Sequence, residues 1–263
     1  IGEYVAAVAA GVLDLPTAMA LVCERGRAME ATPSVGSMVS LKADLATAEA
    51  AIASAGVGEH VSIACINGPS AVVIGGEDDK LEEVIRALPD GTKSMRVRTT
   101  HADHTRLMEP VATAVGRRAE ELLARRPAEP VRCLWASTVA GWRLGDESEI
   151  GQAEYWRRGI VEGVDFPRAM EAVIRSYEAA ADAPAAADEA DDDAGAVSAR
   201  RRSLHFIEMG EGMLTRFSRD LACIAEAEAD ELGYEMVFSH LLPKRVKADT
   251  AAQVQADVAQ MKA

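Results

Sequence analysis

The sequence predicts an α/β protein, and three observations carry that expectation. Between residues 36 and 100 short β-type runs alternate with amphipathic helical runs in the order βαββαβ, a split-βαβ, ferredoxin-like unit. Helical and strand-like stretches go on alternating from residue 106 to about residue 209. The apolar content of 49% is largely alanine and leucine, with aromatics at only 4%, a composition that suits a helix-rich chain.

The elements follow in order. Glu3–Ala10 is a short Ala/Val helix closed by Gly11, and Leu15-Pro16-Thr17 opens a second helix to about Glu30, with proline at an early position. Ser37–Leu41 is a strand. Ala43–Ala55 is a helix with Leu45, Ala48, Ala51 and Ile52 on one face. Val61–Ile66 and Ala71–Ile74 are strands joined by the turn signal Asn67-Gly68-Pro69-Ser70. Asp78 and Asp79 are expected to cap a helix through Leu88, whose Leu81, Val84, Ile85 and Leu88 recur every three or four residues. Lys93–Thr99 alternates Met95, Val97 and Thr99 with Arg96 and Arg98, the pattern of a half-buried strand. Beyond it come a helix from Met108 to Arg126, a strand-like run Val131–Thr138, helices Glu149–Arg158 and Phe166–Tyr177, and a strand Leu204–Met209 before the Gly210-Glu211-Gly212 turn. Residues 181–202 read as a flexible acidic insertion, with six acids between Asp182 and Asp193, and residues 243–263 as a polar amphipathic tail.

With 42 acidic and 28 basic side chains the net charge is −14, which argues against broad nucleic-acid binding and against docking on an anionic membrane. No apolar run approaches the roughly 20 residues of a membrane span. Collagen, simple disorder and a membrane channel are excluded at this level. Cys23, Cys65, Cys133 and Cys223 show no C-x-x-C spacing, and the first three are expected to be buried, reduced thiols of an intracellular protein. The chain opens Ile1-Gly2-Glu3-Tyr4 without Met or a signal-peptide pattern, so its start is expected to have been removed by processing or by an incomplete gene model, and the compartment is unreadable.

That opening matches the tail of a G-x-S-x-G nucleophile elbow, with Ile1 and Gly2 as its last two positions and the serine immediately before Ile1. Other segments extend the match in order. They are Arg25-Gly26-Arg27-Ala28-Met29, Val61–Ile66 with Asn67-Gly68-Pro69 and Val72-Val73-Ile74, His101-Ala102-Asp103-His104-Thr105-Arg106-Leu107-Met108-Glu109-Pro110, Tyr155-Trp156, and Glu208-Met209-Gly210 with Leu214-Thr215.

Over about residues 1–220 this series resembles the malonyl-CoA:acyl-carrier-protein transacylases and the acyltransferase domains of fatty-acid and polyketide synthases. The resemblance implies an α/β-hydrolase-like large subdomain, residues 1–35 and 101–242, carrying the ferredoxin-like small subdomain, residues 36–100, as an insertion. It implies ping-pong transfer of malonyl, or a related acyl group, from coenzyme A to the phosphopantetheine of an acyl carrier protein, with no bound cofactor and no metal. His104 matches the catalytic base, at the end of a predicted strand. Arg25 matches the arginine that pairs with the malonyl carboxylate through two charge-assisted hydrogen bonds, whereas neighbouring Arg27 reads as an exposed helix arginine. The Ile1 backbone N–H matches an oxyanion-hole donor. Asn67 is near the site or simply a turn former, and His101 is structural. A metal site at His101, Asp103 and His104 lacks a further ligand.

Four departures from the family pattern bear on function. Asp103 replaces the aromatic of the "HAFH" segment, where an added carboxylate repels malonate unless it faces away. Gly159 stands where a His or Gln orients the catalytic histidine, leaving only its carbonyl as a partner for the imidazole. Glu211 replaces a proline, and the 181–202 insertion is not typical. An acyltransferase region of a polyketide or polyunsaturated-fatty-acid synthase, and a non-catalytic carrier-protein-binding homologue, are the alternatives. Arg117/Arg118, Arg125/Arg126, Arg157/Arg158 and Arg200–Arg202 are candidate basic patches for an acidic carrier protein.

Overall fold

A computed structural model describes residues 1–133, 135–139, 147–182, 202–208 and 234–240. The chain divides into two compact units, Ile1–Asp188 and Glu189–Ala263. Within the described part of the second unit, strands β6 (Arg202–Glu208) and β7 (Tyr234–His240) pair in parallel, Arg202 opposite Tyr234 through Glu208 opposite His240.

The first unit opens with α1 (Gly2–Ala9) and α2 (Leu15–Ala31). Asp14 caps α2, its carboxylate accepting the Thr17 amide N–H at 2.7 Å, and Pro16 sits in the first turn, where no amide donor is needed. The βαββαβ unit follows as β1 (Ser37–Leu41), α3 (Leu45–Ala55), β2 (Val61–Gly68), β3 (Ala71–Gly76), α4 (Asp78–Ala87) and β4 (Ser94–Arg96). Asp44 caps α3 through the Thr47 amide at 2.8 Å, and Gly56 ends it in the left-handed conformation. The antiparallel order β4-β1-β3-β2 is the ferredoxin-like arrangement, and β5 (Val164–Asp165) adds a fifth strand, parallel to β2, with Cys65 opposite Val164 and Ile66 opposite Asp165.

One face of this sheet carries Val39, Leu41, Val72 and Ile74 into a core completed by Ile52 of α3 and by Leu81 and Val84 of α4. Removing each large aliphatic side chain from water here contributes about 1.5–3 kcal/mol. The opposite face is sparser, with Met38, Ala64 and Val73 buried and Cys65 and Val97 packed beside them. A 3₁₀ turn (Arg106–Met108) leads into α5 (Glu109–Arg125), followed by α6 (Glu147–Ile150), α7 (Ala153–Val161) and α8 (Phe166–Asp182). Helices α1, α2, α5 and α7 share a second core around Tyr4, Leu21, Val111, Val115, Trp156 and Ile160, with Tyr4 and Trp156 stacked at 4.8 Å. No helix among the described residues is long and apolar enough to cross a membrane.

Several sequence expectations require correction. The half-buried strand at Lys93–Thr99 is only Ser94–Arg96 and is exposed, Met95 by 70%, because it is the sheet edge. Its Arg96 is turned onto α4, where it meets Asp78 and Glu82, each at 2.6 Å. Asp78 and Asp79 lie inside the first turn of α4 rather than capping it. The N-cap residue is Glu77, which makes no side-chain cap bond, and Asp78 instead accepts from Ser37 and Arg96. The described part of Val131–Thr138 forms bends, a turn and a single bridge residue, not a strand. Glu149–Arg158 is broken between α6 and α7. Cys23 and Cys133 are exposed and Cys65 is half-buried, so the apolar neighbours in sequence did not bury the first two. Residues 183–201, the Gly210-Glu211-Gly212 turn, Cys223 and the tail from Pro243 lie outside the described residues.

Candidate active site

Candidate residues from three segments, Ile1, Arg25 and the Asp103–His104 turn, converge at the start of α1. Ile1 is the N-cap of that helix, and its carbonyl accepts the Tyr4 amide at 3.0 Å. Its side chain is exposed, and its backbone nitrogen lies close to the Arg25, Glu3 and Asp103 side chains. The positive end of the α1 dipole therefore points at the same space as the Arg25, Asp103 and His104 side chains.

Arg25 lies on α2 with its side chain 11% exposed, and one guanidinium N–H donates to Asp103 Oδ1 at 3.3 Å. The Tyr4 phenol beside it is buried and borders the Arg25 guanidinium. Arg27, two residues on, is exposed and paired with Glu24 at 3.7 Å, as expected of a surface helix arginine.

His104 does not end a strand. It sits in a turn with φ of +60°, the left-handed region that an L-residue occupies only when its surroundings hold it there. Its amide donates to the Ile160 carbonyl at 3.2 Å, and its Nδ1 lies 3.0 Å from the Glu162 carbonyl oxygen. A carbonyl only accepts, so Nδ1 carries the proton and Nε2 is the basic nitrogen. Burial lowers the imidazole pKa. The Glu162 carbonyl opposes this, Arg25 lowers the pKa further, and Asp103 offsets part of the Arg25 effect. Such a histidine is neutral at pH 7 and can accept a proton.

The turn that carries His104 rests on the sparse face of the sheet. Thr105 is buried, its Oγ1 donates to the Ala102 carbonyl at 2.6 Å, and its methyl occupies the space a side chain at Gly75 would need, 2.7 Å from an ideal Cβ there. Gly163 approaches the Ile63 carbonyl so closely that a Cβ would sit 2.6 Å from its oxygen. That contact and the β2–β5 pairing hold the segment that offers the Glu162 carbonyl.

Gly159 does not orient His104. It lies within α7 facing Val139, and the carbonyl that serves the imidazole belongs to Glu162. His101 is 8% exposed. Its Nε2 meets the Thr32 carbonyl at 3.2 Å and its Nδ1 meets Thr100 Oγ1 at 2.9 Å, which ties the end of α2 to the turn. Asn67 lies in β2, one residue past the Ile66–Asp165 pair, and makes no hydrogen bond to Arg25, Asp103 or His104. Cys65 adjoins Asp103, and burial, with Asp103 adding to it, pushes its thiol up to about 11, far from a neutral-pH nucleophile. Among the described residues no group of three His, Cys, Asp or Glu side chains forms a metal site.

Two features were missed in the sequence. Any residue carries a backbone carbonyl, so nothing marked Glu162. Glu3 is half-buried and accepts from the Tyr155 hydroxyl, which also meets Ser137 Oγ at 2.7 Å. An acid two places from an elbow followed by an apolar helix was the available signal for that cluster.

A helix N-terminus, an oriented basic imidazole and a partly buried guanidinium, framed by a ferredoxin-like sheet and a helical layer, define a site suited to acyl-group chemistry. The chain belongs to the acyl transferase domain family, whose model matches residues 1–188. It is 38% identical over 169 residues to the polyketide synthase GfsA of Streptomyces halstedii, a match covering 63% of this chain and 2% of that protein. It superposes with a TM-score of 0.69 on the acyltransferase domain from the second module of the salinomycin polyketide synthase, at 28% identity over 97% of this chain and 50% of that one. An acyl carrier protein S-malonyltransferase from Vibrio cholerae shares the fold, with a TM-score of 0.69 and 21% identity over 95% of this chain and 70% of that one. The α/β acyltransferase fold with its inserted ferredoxin-like subdomain is therefore established.

Proposed function

We propose that this chain transfers malonyl, or a related acyl group, from coenzyme A to the phosphopantetheine thiol of an acyl carrier protein through a serine acyl-enzyme. The reading rests above all on His104, whose Nδ1 is fixed by the Glu162 carbonyl while Nε2 stays basic next to the start of α1. The nucleophile is the serine that the resemblance puts immediately before Ile1. His104 Nε2 takes the hydroxyl proton as the serine oxygen attacks the thioester carbonyl, and the N-terminal amides of α1, with the Ile1 N–H first, stabilise the oxyanion. Collapse breaks the C–S bond, and the coenzyme A thiolate leaves with the proton from His104. The carrier thiol then gives its proton to His104, attacks the serine ester, and the serine recovers that proton. Arg25 is the group that meets the acyl moiety, and no resident cofactor or metal takes part.

The identity to a polyketide synthase favours the synthase-region form of this activity over a stand-alone transacylase. Of the candidate carrier-docking arginines, Arg118, Arg126, Arg157 and Arg158 are each paired with acids, while Arg117 and Arg125 are exposed on α5 without an ion pair among the described residues. Among the candidates whose exposure is described, the latter two are the better docking candidates, Arg200 and Arg201 lying outside the described residues.

Radiolabelled malonyl-CoA, added to the full-length protein carrying that serine and followed by holo carrier protein, tests the proposal. Label should appear first on the protein and then on the carrier, and His104→Ala should abolish both. Carrier binding without any labelling would leave only a non-catalytic docking role.

A further inference from the structure

The Arg25–Asp103 contact bears on which acyl groups this site takes. An arginine that stays charged and is largely shielded from water needs a counter-charge. Arg25, with its side chain 11% exposed, has one within the protein, because its guanidinium donates to Asp103 Oδ1 at 3.3 Å. Asp103 is itself braced, its Oδ2 lying 3.5 Å from Thr99 Oγ1, and its side chain is only 21% exposed. The Thr99 hydroxyl also meets the His101 carbonyl at 3.1 Å, so the carboxylate belongs to the same folded turn that carries His104. The other titratable groups close by are Glu3, Tyr4, Cys65 and His104.

We propose that Asp103 is a resident counter-ion of Arg25 that stands in for a substrate carboxylate, so that the site takes uncharged acyl groups about as readily as malonyl. The inference rests on the acyl-transfer reading above. A malonyl carboxylate reaches Arg25 only by displacing Asp103 or by crowding against it. In the first case one ion pair is exchanged for another, and in the second two carboxylates share one cation. Either way the gain that would single out malonyl largely cancels. An uncharged acyl group meets an arginine whose charge is already compensated, so it leaves no buried cation unpaired. Discrimination is a difference between two affinities, and Asp103 shrinks that difference from both sides.

The test compares malonyl-CoA with acetyl-CoA in two ways. One is loading kcat/KM on the full-length protein, and the other is equilibrium binding to protein whose loading is not required. The unmodified protein should favour malonyl-CoA by no more than about tenfold. Asp103→Asn keeps the shape and removes the charge, and should raise the malonyl-to-acetyl ratio by about tenfold or more in both measurements. Arg25→Ala added to Asp103→Asn should cancel that rise, which separates charge from pocket shape. Asp103→Ala serves where the asparagine variant does not fold. A strong malonyl preference in the unmodified protein, or a ratio unmoved by Asp103→Asn, overturns the proposal. Absence of loading by either thioester with the binding ratio still shifted by Asp103→Asn would overturn the acyl-transfer reading and leave the counter-ion role standing.

Discussion

His104 Nδ1 and the backbone carbonyl of Glu162 lie 3.0 Å apart, so the imidazole is oriented by main chain and not by a side chain. Burial already lowers the His104 pKa from its ordinary 6.5, and Arg25 lowers it further. The acid limb of the loading kcat/KM profile should therefore fall below pH 6.5. Arg25→Ala should move that limb upward, and Asp103→Asn, which removes the charge that offsets Arg25, should move it downward. Stability follows the same sign. The unfolded chain binds the histidine proton at higher pH than the folded one, so stability falls as pH drops from 6.5 towards the lowered folded value, and His104→Gln should flatten that dependence in thermal melts.

Gly75 is expected to be intolerant of a side chain. The added methyl of Gly75→Ala would meet the Thr105 methyl at 2.7 Å, and Thr105 is buried and bonded to Ala102. The turn bearing Asp103 and His104 must then shift. Loading should slow by about 10–100-fold, with a stability loss of about 1–3 kcal/mol. Parallel activity assays and urea melts would show whether activity falls further than stability does.

Tyr155→Phe removes the hydroxyl that donates to half-buried Glu3. Burial raises the Glu3 pKa above 4.5, and the Tyr155 hydrogen bond counters it. Loss of that donor should cost about 1–3 kcal/mol. Because a raised carboxyl pKa removes stability as pH rises above the unfolded value, the penalty should be larger at pH 8 than at pH 5. Adding Glu3→Gln should abolish that pH difference, which denaturant titrations at the two values can read.

Leu81 is fully buried where α4 meets the sheet, and Leu81→Ala should cost about 2–5 kcal/mol. Hydrogen exchange should report the loosening first in α3, α4 and β1–β3, the elements of that core.

The sequence was most legible where periodicity and capping agreed. The βαββαβ order and the bounds of β1 emerged from local pattern, and α3, expected over Ala43–Ala55, starts two residues later at Leu45, behind its Asp44 cap. It failed where position in the sheet decides burial. The alternation at Lys93–Thr99 cannot reveal that β4 is an edge, and two-residue β5 is too short to carry a period. The parallel strand β7 was also unmarked. In the site, residue types pointed to Arg25 and His104, yet which way Asp103 faces is a property of the folded turn. The imidazole's partner was assigned to Gly159 because side-chain reasoning stops at the residue that replaced a side chain, whereas the bond is made three positions on, at Glu162.

The two-residue strand β5 has a mechanical consequence. Its pairing with Cys65 and Ile66 fastens the sheet to the stretch of main chain just after Glu162. Peeling β5 from β2 would release the carbonyl that steers the imidazole, while His104 itself kept its covalent neighbours. The tilt of the imidazole is thus geared to the edge of a sheet it does not belong to.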